Sequence, residues 1–367
     1  MGRGEEEAAF AAVQRALRER EEAVLAYLKS SEVTQGLGHE RLDRAVRGYL
    51  ERPAKRLRPA VLMASAGAVG GDESAAIPAA AAIEVFHTWT LVHDDLIDND
   101  AMRRGGPTVH EELRGIGVEA GYSLREAEEY GRSMAILAGD VQHGWAVSLL
   151  AECARMDGVS AEVVLRLIHT LESLVVNDLV RGQALDVEYA RRPVEGVGLE
   201  EILLMLGLKT GALYEFATRA GAMIGLNSMD ASRAEVMAMS QFGRLCGTAF
   251  QLRDDILGMI GDERTLGKPV GSDIREGKRT AIVCFALRNA SEREKSRLAA
   301  ILGKREASES EMGEARELLM RLGGVDETAR LAAQMLEEGL RWLYVLPESE
   351  QRDLLASVAR YMVVRSV

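Results

Sequence analysis

Apolar residues recur at three- and four-residue spacing along almost the whole chain, the period of a helix that buries one face. AAVQRALREREEAVLAYL (11–28) has this pattern, and so does ARLAAQMLEEGLRWLYVL (329–346). Two other stretches, RPAVLMASAGAVGG (58–71) and PAAAAIEVFHTWTLVHDD (78–95), are apolar almost all round, which predicts helices sunk in a core. Alternating β-branched runs are nearly absent, and the chain has only 7 Pro. Ala, Leu, Glu, Arg and Met dominate, and all are helix formers. Gly70-Gly71, Gly105-Gly106, Gly158 and Gly196/Gly198 mark helix ends. The prediction is an all-α protein, one large bundle over residues 1–367, with no fixed-period repeat and no low-complexity linker. Residues 111–132, EELRGIGVEAGYSLREAEEYGR, are polar and Gly-containing. They read as a surface excursion, a loop with a short helix opened by a capping box of Ser123 and Glu126.

Composition narrows the function classes. The 45 basic against 57 acidic residues give a formal charge of -12, which argues against a nucleic-acid surface. Cys153, Cys246 and Cys284 lie far apart with no zinc spacing, as for buried thiols in a reducing cytoplasm. The amino terminus MGRGEEEAAFAAV is acidic and has no h-region of a signal peptide. No uncharged apolar run approaches the ~18 residues that span a bilayer. A soluble, cytoplasmic protein is expected.

Against that background LVHDDLIDND (91–100) is anomalous: four Asp fall within seven positions behind an apolar run. Like charges at helical spacing repel, and carboxylates at a helix carboxyl terminus oppose its dipole. Taken alone, the cluster is either a solvated acidic helix end or a seat for a cation. On a helix Asp94 and Asp98 share one face, about 6 Å apart, while Asp95 is turned about 100° away. Two such carboxylates can share a hard cation. A second pair, Asp254-Asp255, closes another apolar helix and is followed by Lys268 and Lys278, as the first is followed by Arg103-Arg104. Carboxylates with nearby Arg and Lys are what a diphosphate needs, through Mg²⁺ bridges and direct neutralisation. The cluster at 94–100 is therefore read as a magnesium–diphosphate platform.

Seven motifs stand in order from Lys55 to Thr280: KRLRP (55–59), IEVFHTWTLVHDDLIDNDAMRRGGPTVH (83–110), AILAGD (135–140), GQALD (182–186), KTGALYEFA (209–217), FQLRDDILG (250–258) and GKPVGSDIREGKRT (267–280). Together they resemble the trans-isoprenyl diphosphate synthases, the polyprenyl synthetase family, and most nearly its archaeal short-chain members. The resemblance implies an isoprenoid-synthase bundle with a central active-site cavity and a motif-bearing core over about 50–285. It implies a prenyltransferase in which an allylic diphosphate, bound between the Asp motifs through three Mg²⁺, ionises. Isopentenyl diphosphate then attacks and a proton is lost.

By resemblance Asp94, Asp98 and Asp254 are the metal ligands, with Asp95 and Asp255 acting beside them or through water. Arg103, Lys209, Lys268 and Lys278 meet the allylic diphosphate. Lys55, Arg58, His87 and Arg104 bind isopentenyl diphosphate without metal. Lys209 and Thr210 break a helical run and, with Gln251, turn oxygen dipoles toward the cation, and Gln183 and Asp186 support the metals and lysines. Taken alone, His87 is an ordinary core histidine and KRLRP a basic surface turn; the motif context gives them these roles. His93 and GDVQHGW (139–145) are read as packing elements. Gly258 stands where the second motif often has Asp, and Ala54 where the basic motif usually has Gly.

Product length should follow the depth of the apolar pocket below Asp94. Trp89 lies about 7.5 Å down the helix at 1.5 Å per residue, beside the small Thr90 and above Phe86. With no insertion in DDLID, these residues favour a C20 product, geranylgeranyl diphosphate, over C15 farnesyl diphosphate. A terpene cyclase would not need the isopentenyl diphosphate residues. A non-catalytic regulatory subunit is the remaining alternative, and the family implies a homodimer.

Overall fold

A computed structural model of the chain describes residues 3–261 and 271–364, with side chains from Phe10 to Val363; Lys268 lies outside the described residues. Among the described residues the regular structure is helical apart from a two-stranded ribbon, β1 (Met102–Arg103) against β2 (Gly106–Pro107), with Met102 opposite Pro107. They divide into two compact units.

The first unit comprises Met1–Ile168 and Ala220–Met229. It contains α1 (Arg3–Ser30), α2 (Glu40–Glu51), α3 (Leu57–Ala68), α4 (Ile77–Asp98), α5 (Val109–Glu119), α6 (Leu124–Glu152) and most of α7 (Ala161–Thr170). Helix α4 is its centre and packs most extensively on α6. Pro78 sits in its first turn, where a missing N–H costs nothing. Every residue from Pro78 to Phe86 is buried, so this all-round apolar stretch is a core helix as its pattern predicts. By length and composition α4 could cross a membrane, but 72% of that apolar window is covered by protein. It stops at Asn99, which adopts the left-handed conformation (φ 58°, ψ 41°) that Asn tolerates, and whose N–H caps Asp95 O. Tyr49, Leu62, Ile83, Phe86, Leu113, Leu149, Leu150 and Leu167 are the largest fully buried side chains here. Each contributes about 1.5–3 kcal/mol by leaving water.

The loop expected within 111–132 is confined to residues 120–123. Val109–Glu119 is helix α5, and 124–132 are the opening turns of the 29-residue α6, with the Ser123–Glu126 capping box formed as predicted. The polar composition hides a narrow buried stripe of Val109, Leu113 and Gly117 at four-residue spacing. Gly131 is a contact residue: a Cβ there would lie 2.3 Å from His110 O, so the glycine lets α5 and α6 touch.

The second unit comprises His169–Arg219 and Asp230–Val367. It holds α8 (Val176–Tyr189), α9 (Leu199–Leu206), most of α10 (Ala212–Gly225), α11 (Ala234–Ile260), α12 (Ser272–Glu276), α13 (Ala281–Asn289), α14 (Glu292–Ile301), α15 (Glu309–Arg321), α16 (Gly324–Trp342) and α17 (Glu350–Val364). Helix α11 packs chiefly on α16. A cluster including Ile256, Met259, Ile274, Ile282, Leu298, Ile301 and Leu319 anchors the end of α11 that carries Asp254 and Asp255. A π-helical turn, Gly207–Gly211, interrupts the path from α9 to α10 at Lys209 and Thr210, where the sequence predicts a break.

Candidate active site

In the first unit the last turn of α4 carries the acidic motif. Asp94 and Asp98 are half-buried, while Asp95 faces inward and is 1% exposed. Its charge is answered there: Arg103 from β1 ion-pairs with it, its Nε donating to Oδ1 at 2.7 Å, and Tyr49 Oη donates to Oδ2. Burial raises the Asp95 carboxyl above the usual range, and Arg103 and the Tyr49 hydrogen bond pull it back. Arg103 also reaches Asp100 at 3.0 Å. Arg103, placed on the allylic diphosphate by resemblance, is thus tied to the far side of the acidic motif.

One turn and more behind lies the basic group. Arg58 Nη1 is 3.0 Å from His87 Nε2. Burial first, then Arg58, Arg104 and Arg103, hold the His87 pKa well below 6.5, so the imidazole is neutral and Nε2 accepts from Arg58. Arg104, at φ 50°, donates to Tyr49 O at 2.6 Å and to Glu84 Oε1 at 3.4 Å. Glu84 is buried; burial raises its carboxyl, and Arg104, Arg56 and Arg58 offset this. Lys55 is exposed. Arg56 is instead a buried strut: it takes the left-handed conformation (φ 39°, ψ 46°), ion-pairs with Glu21 and donates to Leu50 O. Ala54 is not among the positive-φ residues, so alanine fits where the family has Gly.

In the second unit the π-turn carries the next group. Thr210 Oγ1 donates to Gln251 Oε1 at 2.9 Å, and Gln251 Nε2 donates to Asp255 Oδ1 at 3.0 Å. Lys209 Nζ ion-pairs with Asp186 Oδ2 at 2.7 Å. The glycine of GQALD has a steric reason: a Cβ on Gly182 would sit 2.4 Å from Lys209 N. Lys278 pairs with Glu276 at 2.7 Å and lies 3.9 Å from Asp273. Asp255 is 9% exposed, and its pKa is pushed up to about 8 by burial and by Asp273, Asp254 and Asp186.

These sites fit magnesium. No cluster of three metal-ligating side chains occurs among the described residues. Mg²⁺ does not need one, because it takes one or two carboxylates and fills its octahedron with water and phosphate oxygen. Asp94 and Asp98, one turn apart at a helix terminus of negative polarity, supply such a pair. The carboxylates that push Asp255 upward show a second place where a cation would relieve repulsion.

The polyprenyl synthetase family profile matches residues 39–319, more than half the chain. The chain belongs to the polyprenyl synthetase family. It is 38% identical over 326 residues to a short chain isoprenyl diphosphate synthase of Methanothermobacter thermautotrophicus, covering 89% of this chain and 91% of the relative. It is 36% identical to a geranylfarnesyl diphosphate synthase of Aeropyrum pernix, covering 89% and 95%. The crystal structure of geranylgeranyl pyrophosphate synthase from Corynebacterium glutamicum, complexed with isoprenyl diphosphate and magnesium, superposes with a TM-score of 0.81. It is 28% identical, with 96% of this chain and 99% of that chain covered. Like the rest of its family the chain is all-α, and it is a prenyl diphosphate synthase, a transferase.

Within the family frame the structure adds residues that the motifs did not mark. Tyr49, outside the seven motifs, orients Asp95. Asp273 stands beside the gap left by Gly258: a Cβ there would be 3.4 Å from Asp273 Oδ2. Its signal was the Asp of GKPVGSDIREGKRT, which the sequence reading passed over for the neighbouring lysines.

Proposed function

We propose that this polyprenyl synthetase condenses isopentenyl diphosphate with allylic diphosphates and stops at C20, geranylgeranyl diphosphate. Asp94 and Asp98 hold two Mg²⁺ and Asp254 a third; the ions supply Lewis-acid stabilisation of the departing diphosphate. Arg103, Lys209, Lys268 and Lys278 neutralise that diphosphate, and Thr210 and Gln251 present fixed oxygen dipoles to the allylic cation. Lys55, Arg58, His87 and Arg104 bind isopentenyl diphosphate, whose double bond attacks the cation before a proton leaves to the diphosphate. Asp95, Asp255, Gln183 and Asp186 orient these groups. We place the whole chain, as one catalytic domain and a homodimer, in the cytoplasm.

The observation that carries this reading is the Arg58–His87 contact with Arg104 held on Glu84. It is a cationic group around a neutral histidine, distinct from the carboxylates, and a cyclase has no use for it. Calorimetric titration of isopentenyl diphosphate in EDTA tests it: saturable binding is expected, and should be lost in Arg104→Ala. Folded protein that binds nothing without metal would favour a cyclase.

The C20 limit rests on Trp89, whose ring meets Phe86 edge-on at 4.8 Å. C15 remains the alternative for a shallower pocket. The geranylfarnesyl name of the Aeropyrum relative makes C25 the rival for a deeper one.

A further inference from the structure

Four rings of the first unit meet on the amino-terminal side of Asp94. Three come from α4: Phe86, Trp89 and His93, whose ring lies edge-on to Trp89 at 5.8 Å. The fourth comes from the facing helix α6, where His143 lies 4.9 Å from the Trp89 ring at 46° and 6.0 Å from Phe86. The indole is therefore met by a ring one turn below it, a ring one turn above it and a ring from the opposite helix. The packing depends on Gly139, one turn before His143 on α6. A Cβ on Gly139 would fall 2.1 Å from His93 Nε2, so only glycine leaves space for that imidazole beside the indole.

A lone indole on α4 has alternative rotamers, and each would change the depth left for a growing chain. Contacts on three sides remove them. We propose that His143 is a positioning residue for product length: by bracing Trp89 from α6 it fixes the indole as a rigid floor. This inference rests on the reading of Trp89 as the floor. His143 then acts through Trp89 and touches neither diphosphate. The ring, rather than its proton, is what the bracing needs, since offset and edge contacts between aromatic faces are set by shape and quadrupole.

The test is product sizing with Mg²⁺, isopentenyl diphosphate and a C15 allylic starter. Wild type, Trp89→Ala, His143→Ala, His143→Leu and His143→Phe are run in parallel, and each protein is checked for folding by circular dichroism. Trp89→Ala should give mainly products beyond C20. His143→Ala should raise the C25 fraction several-fold, His143→Leu should do so to a smaller degree, and His143→Phe should restore the wild-type profile. Longer products from Trp89→Ala with unchanged products from both His143→Ala and His143→Leu would overturn the bracing role alone. Unchanged products from Trp89→Ala would overturn the floor itself, and the bracing role with it. Equal lengthening by His143→Phe and His143→Ala would show that an aromatic ring is not what α6 supplies.

Discussion

The two acidic motifs differ in how their inner carboxylates are compensated. In DDLID the buried Asp95 is bound by the Arg103 guanidinium and the Tyr49 hydroxyl, so that carboxylate is balanced by protein alone. In DDILG the buried Asp255 is bonded to the neutral amide of Gln251. Lys209 is engaged by Asp186, and Asp273, Asp254 and Asp186 all push the Asp255 carboxyl upward. The inner carboxylate of the first motif is thus compensated before metal arrives, whereas that of the second faces, among the described residues, an imbalance of like charge that a cation would relieve. Loss of the fifth-position carboxylate at Gly258 is consistent with this, since another negative charge there would add to the imbalance.

The largest effect that would break this picture is on catalysis. Asp94→Asn should lower kcat by about a thousandfold, the scale of losing one charge stabiliser of the transition state; steady-state turnover at saturating Mg²⁺ measures it, and near-normal turnover would remove Asp94 from the metal site. Next comes stability. Asp95→Asn leaves Arg103 without its main counter-charge and should destabilise the metal-free protein by about 3–5 kcal/mol in urea unfolding, the usual cost of breaking a buried pair.

Asp255→Asn should do the opposite. The folded pKa of Asp255 lies near 8 against 3.8 for the free group, so the folded state holds a proton that the unfolded state has lost. Its stabilisation is complete below 3.8 and is lost as pH rises toward 8. Without metal, wild type relative to Asp255→Asn should therefore weaken steadily over that range, and a pH-independent difference would contradict the assignment.

His87 has the reverse sign. Its folded pKa is depressed below 6.5, so the unfolded state takes up the proton first as pH falls. Wild type should lose stability relative to His87→Gln below about pH 6.5, read by thermal unfolding at several pH values. The smallest effect is Gly258→Asp. The added Cβ meets only Asp273 Oδ2 at 3.4 Å, so the cost is electrostatic, about 1 kcal/mol without metal. Mg²⁺ with diphosphate should reduce it.

Much of this molecule was legible in the sequence, for identifiable reasons. The helices at 11–28 and 329–346 follow from apolar period, and those at 58–71 and 78–95 from being apolar almost all round. The break at Lys209 and Thr210 was foreseen from the motif and is a π-turn. The helix over 109–119 was missed because α5 buries only a narrow stripe, and Gly131 looks like a loop glycine until its contact with His110 is seen. Tyr49 carried no local signal, and GDVQHGW reads as a packing element without naming a partner for His143: their contacts with Asp95 and Trp89 span 46 and 54 positions, and spacing rules do not reach across helices. Arg56 looked like any basic residue of KRLRP, yet its left-handed backbone and its pair with Glu21 make it structural.

The most direct measurement is the product formed by the wild-type protein. Purified protein is incubated with Mg²⁺, isopentenyl diphosphate and, separately, C5, C10 and C15 allylic diphosphates, and the chains are sized. Accumulation of C20 geranylgeranyl diphosphate is the predicted result. A folded protein that elongates none of the three starters would contradict the account.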